Sequence, residues 1–359
     1  MTAFETTILI LEDRSDYGEL LSATQETSTV DFELVDPDLD RDFGADNGRQ
    51  AVENMMDEIG GYPLLTVLDW DLSRGEGPIT RDNIVSFCEN NHLPLCVYHR
   101  TDTGLSDEQA IKEYDENRFK VDPTSFEEAG RFVGHVANGL YEIQSKIGSV
   151  FEDENVRPLP AVLDAPDTVR GKLDQYSWGN PGVIKSGQLE LDQDEIVRRA
   201  TTNQGYWILN ELLEFPGALL NETALAAYLD VDHQQFEEDP RYREPFEDAL
   251  YTGPFSGLQD WWWTPSVDDV RIEEMQEGDS ETPLGPALFE RLDTPSIDRA
   301  ECTSDLDDDH GPARYYCIIK EEPVCENHSV APDGWIPKGA TRSRVSKEEY
   351  DRLKPWVMM

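Results

Sequence analysis

Ile8-Leu9-Ile10-Leu11-Glu12-Asp13 and Leu64-Leu65-Thr66-Val67-Leu68-Asp69 decide the fold. Each is a short, nearly unbroken apolar run that stops on an acid. A strand with one wet face alternates apolar and polar residues, whereas a strand apolar along its length is covered on both faces. The sequence around these runs supplies the covers. An amphipathic stretch follows the first run from Ser15 to Gln25, and a short β-like segment spans Phe32–Val35. A helix reads from Asp46 to Ile59, before the second long run. Beyond that run the pattern predicts a helix near Arg81–Asn91, a strand at Leu95–Tyr98 and a helix near Asp107–Asn117. A strand at Phe119–Val121 and a long helix from Phe126 to Ile147 complete it. Five strand–helix alternations imply an α/β domain with a parallel sheet between helical layers.

Open sheets of this kind place their chemistry beyond the carboxyl ends of the strands. Glu12, Asp13 and Asp69 all fall at such ends. In the flavodoxin-like (βα)5 strand order 2-1-3-4-5 the first and third strands are neighbours, so the three acids share one crevice. Clustered carboxylates repel unless a cation sits among them or protons stay on. Mg2+, a hard ion that prefers oxygen ligands, suits them.

The region from residue 7 to 150 resembles the receiver domain of two-component response regulators. Ile8-Leu9-Ile10-Leu11-Glu12-Asp13 is similar to the family's first strand and acidic pair. Leu68-Asp69-Trp70-Asp71-Leu72 is similar to the strand bearing its phospho-accepting Asp, which the resemblance places at Asp69. Phe119-Lys120-Val121-Asp122-Pro123 is similar to its last strand. The resemblance implies Mg2+ at Glu12, Asp13 and Asp69, a sensor kinase upstream, and a protein partner or a second copy of the chain.

The sequence also departs from the family. Where the family has Ser or Thr after the fourth strand, this chain has His99, with Thr101 two residues on. Where the family has Lys before proline, this chain has Asp122, and Lys120 lies two residues earlier. A phosphoryl group would add negative charge to a pocket already rich in acids and without that Lys. Two outcomes are expected from the same fold: a receiver phosphorylated at Asp69, or a degenerate one used for docking or dimerisation.

Acids outnumber bases 75 to 30 over 359 residues, a formal net charge of −45. The excess is general, since residues 1–150 alone hold 31 acids and 11 bases. A carboxylate surface with 9 Lys against 21 Arg resembles the proteins of salt-loving archaea. In concentrated salt the Debye length falls to about 3 Å, and self-repulsion becomes tolerable. No apolar run is long enough to span a membrane, the first residues carry no basic leader pattern, and five cysteines fit reduced thiols or metal ligands. These features lead to the expectation of a cytoplasmic protein with no membrane contact.

The remaining chain reads as a linker or docking strap over 151–190, a mostly helical domain over 191–300, and a Cys-containing segment with a basic tail over 301–359. Residues 193–229 read as helical. Leu220–Asp232 followed by His233–Asp239 resembles a helix-turn-helix, with Asn221 as the first cap, but its second helix carries three acids and no base. Trp261-Trp262-Trp263 is expected to place at least one indole outside any single core. Cys302, Cys317, Cys325 and His328 form a candidate Zn2+ set, with Cys325-Glu326-Asn327-His328 supplying its one tight pair. His310 closes an acidic run that lacks the spacing of a Ca2+ loop. Lys338, Arg342, Arg344, Lys347, Arg352 and Lys354 make residues 335–359 net basic.

The sequence thus predicts a receiver-like domain at 1–150 in a non-enzymatic signalling or regulatory protein. The alternative is a transcription regulator that binds DNA through residues 206–240 and the basic tail. The charge alone yields a prediction. The thermal midpoint should rise from dilute buffer to molar KCl by roughly 5–10 °C, a few kcal/mol for a chain of this size. A midpoint indifferent to KCl would show that carboxylate repulsion does not limit stability.

Overall fold

The computed structural model describes residues 6–12, 17–39, 41, 43–69, 72, 79–98, 118–121, 123–150, 158–173, 193–277, 279–304, 306, 310–337 and 339–357. Two compact units are formed. The first comprises residues 1–163, 180–209 and 253–258; the second comprises 164–179, 210–252 and 259–359. These units cut across the boundaries expected at 150, 190 and 300.

The first unit is built on a five-stranded, all-parallel sheet of order β2-β1-β3-β4-β5. Its strands are β1 (Thr7–Leu11), β2 (Glu33–Val35), β3 (Leu65–Asp69), β4 (Leu95–Tyr98) and β5 (Phe119–Val121). This is the flavodoxin-like order expected from the sequence. Leu9, Leu11, Leu68, Leu95 and Val97 point to one face. There they pack against α2 (Gly48–Glu58) and α3 (Arg81–Asn91) through Ala51, Val52, Met55, Ile84 and Cys88. Asn47 caps α2 by accepting from the Gln50 amide, and Thr80 caps α3 at Asn83. The opposite register set, with Ile8, Ile10, Val67 and Cys96, is also fully buried, as continuous apolar strands require.

On that side lie α1 (Gly18–Thr27) and the long α4 (Phe126–Val150), the most extensively packed helix pair of the unit. Their approach depends on two glycines one turn apart. A Cβ on Gly130 would lie 2.4 Å from the Leu20 carbonyl oxygen and 2.8 Å from Ala23 Cβ. One on Gly134 would lie 2.8 Å from Thr27 Cβ. Asn138 fastens the end of α1, accepting from the Thr29 amide at 2.9 Å and donating to the Thr27 carbonyl at 3.2 Å.

The unit then recruits sequence from beyond its first 163 residues. Helix α5 (Pro158–Val162) receives a hydrogen bond from Lys146 on α4. Helix α6 (Asp167–Leu173) belongs to the second unit. Helix α7 (Gln193–Trp207) returns to pack along α4 at the amino end of β4. The Tyr206 hydroxyl accepts from the Leu95 amide at 2.7 Å, Thr202 donates to the His92 carbonyl at 2.7 Å, and Arg198 donates to the Asn91 carbonyl. The Phe119 ring lies 4.7 Å from Tyr206 and 5.9 Å from Phe255. Gly139 makes room for Phe255, since a Cβ there would meet the ring at 2.3 Å. Aromatic burial on β5 is therefore why distant segments join this unit.

The second unit combines helices with two small sheets. The helix expected through 193–229 is interrupted. After α7 comes a π-helical turn, Ile208–Leu213, then β6 (Leu219–Asn221), and α8 (Glu222–Leu229) starts only beyond it. β6 pairs antiparallel with β7 (Trp261–Trp263). All three indoles are buried, but not in one core, as the sequence leads one to expect. Strand alternation explains it: Trp262 joins the main cluster with Leu220, Leu225 and Phe246, while Trp261 and Trp263 turn the other way onto Tyr251. Asn221 caps α8 as expected, and α9 (His233–Glu238) follows, capped by Asp232. Buried Asp230 ends α8 at φ 63° and is held by Arg299 and Arg314. Helices α10 (Thr264–Glu273) and α11 (Pro286–Arg291) precede a four-stranded sheet of order β10-β11-β8-β9. Its strands are β8 (Tyr315–Cys317), β9 (Glu322–Val324), β10 (Ser329–Val330) and β11 (Ser343–Ser346), and α12 (Lys347–Val357) follows.

The α1–α4 contact can be tested directly. Gly130→Ala and Gly134→Ala should each cost about 1–3 kcal/mol, the usual penalty for overpacking, read as a lower urea midpoint with unchanged slope. An increase, as an exposed helical Gly→Ala would give, would refute the close approach.

Candidate functional site

The register of the central strands builds the site. Leu11 on β1 lies opposite Leu68 on β3. The next residues along each chain, Glu12 and Asp69, therefore emerge side by side at the carboxyl edge of the sheet. Both are buried, at 6% and 3% exposure. A carboxylate taken out of water needs hydrogen bonds or a cation in compensation.

Part of that compensation comes from tyrosine. Tyr98, the last residue of β4, is the register partner of Asp69 and is fully buried. Its hydroxyl donates to Glu12 Oε2. Its ring is fixed edge-on against Phe126 in the first turn of α4, with centroids 6.4 Å apart. A second pair lies at the neighbouring strand end, where Tyr17 donates to Asp36, the residue after β2. Burial, then the Asp36 hydrogen bond, and the Asp36 and Glu12 charges push the Tyr17 hydroxyl up to about 12. Burial also raises the Asp36 carboxyl, against the lowering effect of the Tyr17 bond. Three acidic strand ends, Asp36, Glu12 and Asp69, thus run along one edge with two tyrosine donors among them.

Of the residues singled out in the sequence, Glu12 and Asp69 are brought together. Asp13, His99, Thr101 and Asp122 lie outside the described residues. Lys120 is exposed and pairs in register with Val97, one residue before Tyr98. Since Asp69, Tyr98 and Val121 share a sheet face, alternation puts Lys120 on the other one. In the second unit, Cys302, Cys325 and His328 converge, whereas Cys317 stands apart in β8, where its Sγ accepts from the Ser346 amide at 3.3 Å. That corrects the four-residue zinc set read from the sequence.

Sequence reasoning missed Tyr98, Tyr17 and Asp36. Tyr98 had a signal: it is the one residue with a hydroxyl in an otherwise apolar strand, placed where the strand meets the catalytic edge of such sheets. A buried tyrosine hydroxyl needs a partner, and the nearest acids in the expected strand order were Glu12 and Asp69. Chemically, the edge offers buried, hydrogen-bonded oxygen donors of the type a hard divalent cation takes.

No protein-family model matches the chain, and no curated relative matches it. Among solved structures it is similar to the Mn2+-bound form of response regulator Rcp1, at 20% identity and a TM-score of 0.26, over 42% of this chain and 97% of that one. It is also similar to the Francisella novicida lysine decarboxylase LdcF, at 11% identity and a TM-score of 0.23, over 64% of this chain. The match spans 32% of the decarboxylase. The fold assignment rests on the strand order and register above.

Removing the Tyr98 hydroxyl tests the site's internal support. Tyr98→Phe keeps the ring against Phe126 and should cost about 1.5–3 kcal/mol, the range for a hydrogen bond to a charged group. A urea midpoint equal to that of the parent protein would show that the hydroxyl contributes nothing to Glu12.

Proposed function

We propose that this chain is a non-enzymatic signalling or regulatory protein. Its first unit is a receiver-like module that takes a divalent cation, Mg2+, at Glu12 and Asp69 but keeps no stable phosphoryl group. It works as a degenerate receiver, a docking or pairing module for a protein partner or a second copy, through which the C-terminal region is controlled. The observation that carries this reading is the Tyr98 hydroxyl bound to Glu12 directly beside Asp69. A phosphoryl group on Asp69 would bring further negative charge to a buried acidic edge. The nearby lysine of β5, Lys120, starts from the opposite sheet face. Glu12 and Asp69 as paired oxygen donors support Mg2+ without requiring that lysine. The setting proposed is a cytoplasm; among the described residues no helix is long and apolar enough to cross a membrane.

The phospho-accepting reading remains the direct competitor. In it, an Asp69 carboxylate oxygen attacks the phosphorus of an acyl phosphate or of a kinase phosphohistidine. The donor leaves with the bonding electrons, and Mg2+ screens the oxygens. The test is intact mass after incubation with acetyl phosphate and Mg2+ in molar KCl, with Asp69→Asn as control and near-UV circular dichroism to confirm folding. The expected result is no added phosphoryl mass. A phosphoryl adduct that disappears in Asp69→Asn would replace this reading with a working receiver under a sensor kinase. Independently, Glu12→Gln should weaken Mg2+ binding in calorimetry by about tenfold, roughly 1.4 kcal/mol; unchanged affinity would remove Glu12 from the cation site.

DNA binding through residues 206–240 and the basic tail draws support from the capped pair α8 and α9, which do form consecutive helices. Three of its arginines, however, are engaged within the protein. Arg342 lies 4.3 Å over the Tyr228 ring, Arg344 lies over Tyr315 and bonds Glu326, and Arg352 bonds Glu349. Binding to phosphates would have to break these contacts. A salt-dependent affinity for duplex DNA in the folded protein would restore that alternative.

A further inference from the structure

We propose that Cys302, His310, Cys325 and His328 form a closed tetrahedral site for a single Zn2+ ion in the second unit. The inference is independent of the function proposed for the first unit. One ligand atom from each of the four residues lies within 4.8 Å of all the others. A tetrahedral zinc with bonds of about 2.3 Å to sulfur and 2.0–2.1 Å to nitrogen holds its ligand atoms roughly 3.3–3.8 Å apart. Cys302 Sγ lies 3.9 Å from His328 Nδ1, so the His328 ring sits against the Cys302 sulfur. The His310 and His328 rings meet at 87° with centroids 4.5 Å apart, so they converge edge to face instead of stacking.

The surroundings point to a cation as well. His328 is 2% exposed, and its Nε2 is buried without a hydrogen-bond partner. A buried imidazole nitrogen left without a partner is costly, and an ion bound at Nε2 settles it while Nδ1 faces the Cys302 sulfur. Cys325 is fully buried, and its backbone amide donates to Cys302 Sγ at 3.3 Å, which holds the two sulfur-bearing segments side by side. Two thiolates and two neutral imidazoles around Zn2+ sum to no net charge, so the site adds nothing to the self-repulsion of an acidic protein. Thiolate and imidazole donors select zinc over Mg2+ or Ca2+.

Each ligand comes from a place where the chain needs fastening. Cys325 caps, and His328 ends, the 3-10 turn Glu326–His328 that links β9 to β10. Cys302 belongs to residues 294–304, which form neither helix nor strand, and His310 precedes β8. The first of these segments reaches the sheet through Thr303, whose amide and hydroxyl both contact the Pro323 carbonyl. The strands it joins are only two to four residues long. An ion with four protein ligands and no open position is structural, and here it ties the irregular stretch onto that short sheet.

The test is metal content of the purified full chain, by plasma mass spectrometry after gel filtration without added metal, followed by Co2+ exchange. The expected result is one zinc per chain and a cobalt form with the intense visible bands of tetrahedral sulfur–nitrogen coordination. Cys302→Ser and His310→Ala should lose most of the zinc, and Cys317→Ser should keep it. His310→Cys should restore binding, which a merely misfolded His310→Ala could not explain. Zinc-free protein that gives no tetrahedral cobalt spectrum would overturn the site. So would full zinc retention in the Cys302→Ser, His310→Ala double variant, or a Cys302–Cys325 disulfide in protein purified without oxidant.

Discussion

Two buried carboxylates at adjacent strand ends set the terms for the first unit. Glu12 and Asp69 are brought together by the β1–β3 register, which is itself fixed by apolar side chains on both sheet faces; a slip of one residue would exchange those faces. The core therefore dictates that the acids meet. Left alone, such a pair would unfold its own neighbourhood or take up protons. Tyr98 moderates this by donating to Glu12, and it can do so because Phe126 fixes its ring at the mouth of the sheet. Packing and polar chemistry are one arrangement here: the helix that covers the sheet also orients the donor.

That helix is held with little tolerance. Gly130 and Gly134 allow α1 to approach α4 at backbone distance, and a turn further on Asn138 fastens the end of α1. Beyond it Gly139 receives Phe255, and Gly205 on α7 lies where a Cβ would meet Leu140 at 2.7 Å. One long helix thus carries close contacts along much of its length. Its first turn touches the candidate site, and its later turns hold segments distant in sequence.

The sheet was legible because its strands are uninterrupted apolar runs, and the acids at their ends were legible because they break those runs. Other features depended on what the segments meet. Tyr98 reads as one more large side chain in a buried strand until its register against Asp69 is known. Trp261–Trp263 looks too apolar for one core, and is; the strand resolves this by serving two faces. Cys317 and His310 show the same limit. In the sequence Cys317 lies nearer to Cys325 than Cys302 does, and His310 belongs with an acidic run. In the fold the short sheet turns Cys317 into β8 and brings His310 onto His328. Spacing finds ligands only when they share a turn, as Cys325 and His328 do.

The basic C-terminal stretch shows how charge and fold interact in the second unit. A net-basic segment in a chain of net charge −45 invites a nucleic-acid reading. Yet Arg342 and Arg344 spread their guanidinium groups over Tyr228 and Tyr315, and Arg271, which is buried, bonds both Asp268 and the Tyr228 hydroxyl. Burial and the neighbouring Asp268 push that hydroxyl up to about 12, so Tyr228 stays a neutral donor amid the arginines. Stacked guanidinium planes, unlike ammonium groups, keep both an aromatic contact and in-plane hydrogen bonds. The preference for Arg over Lys across the chain is thus put to use inside the fold. These cations serve first to hold an acidic protein together, and only what they leave unbound is available to a partner.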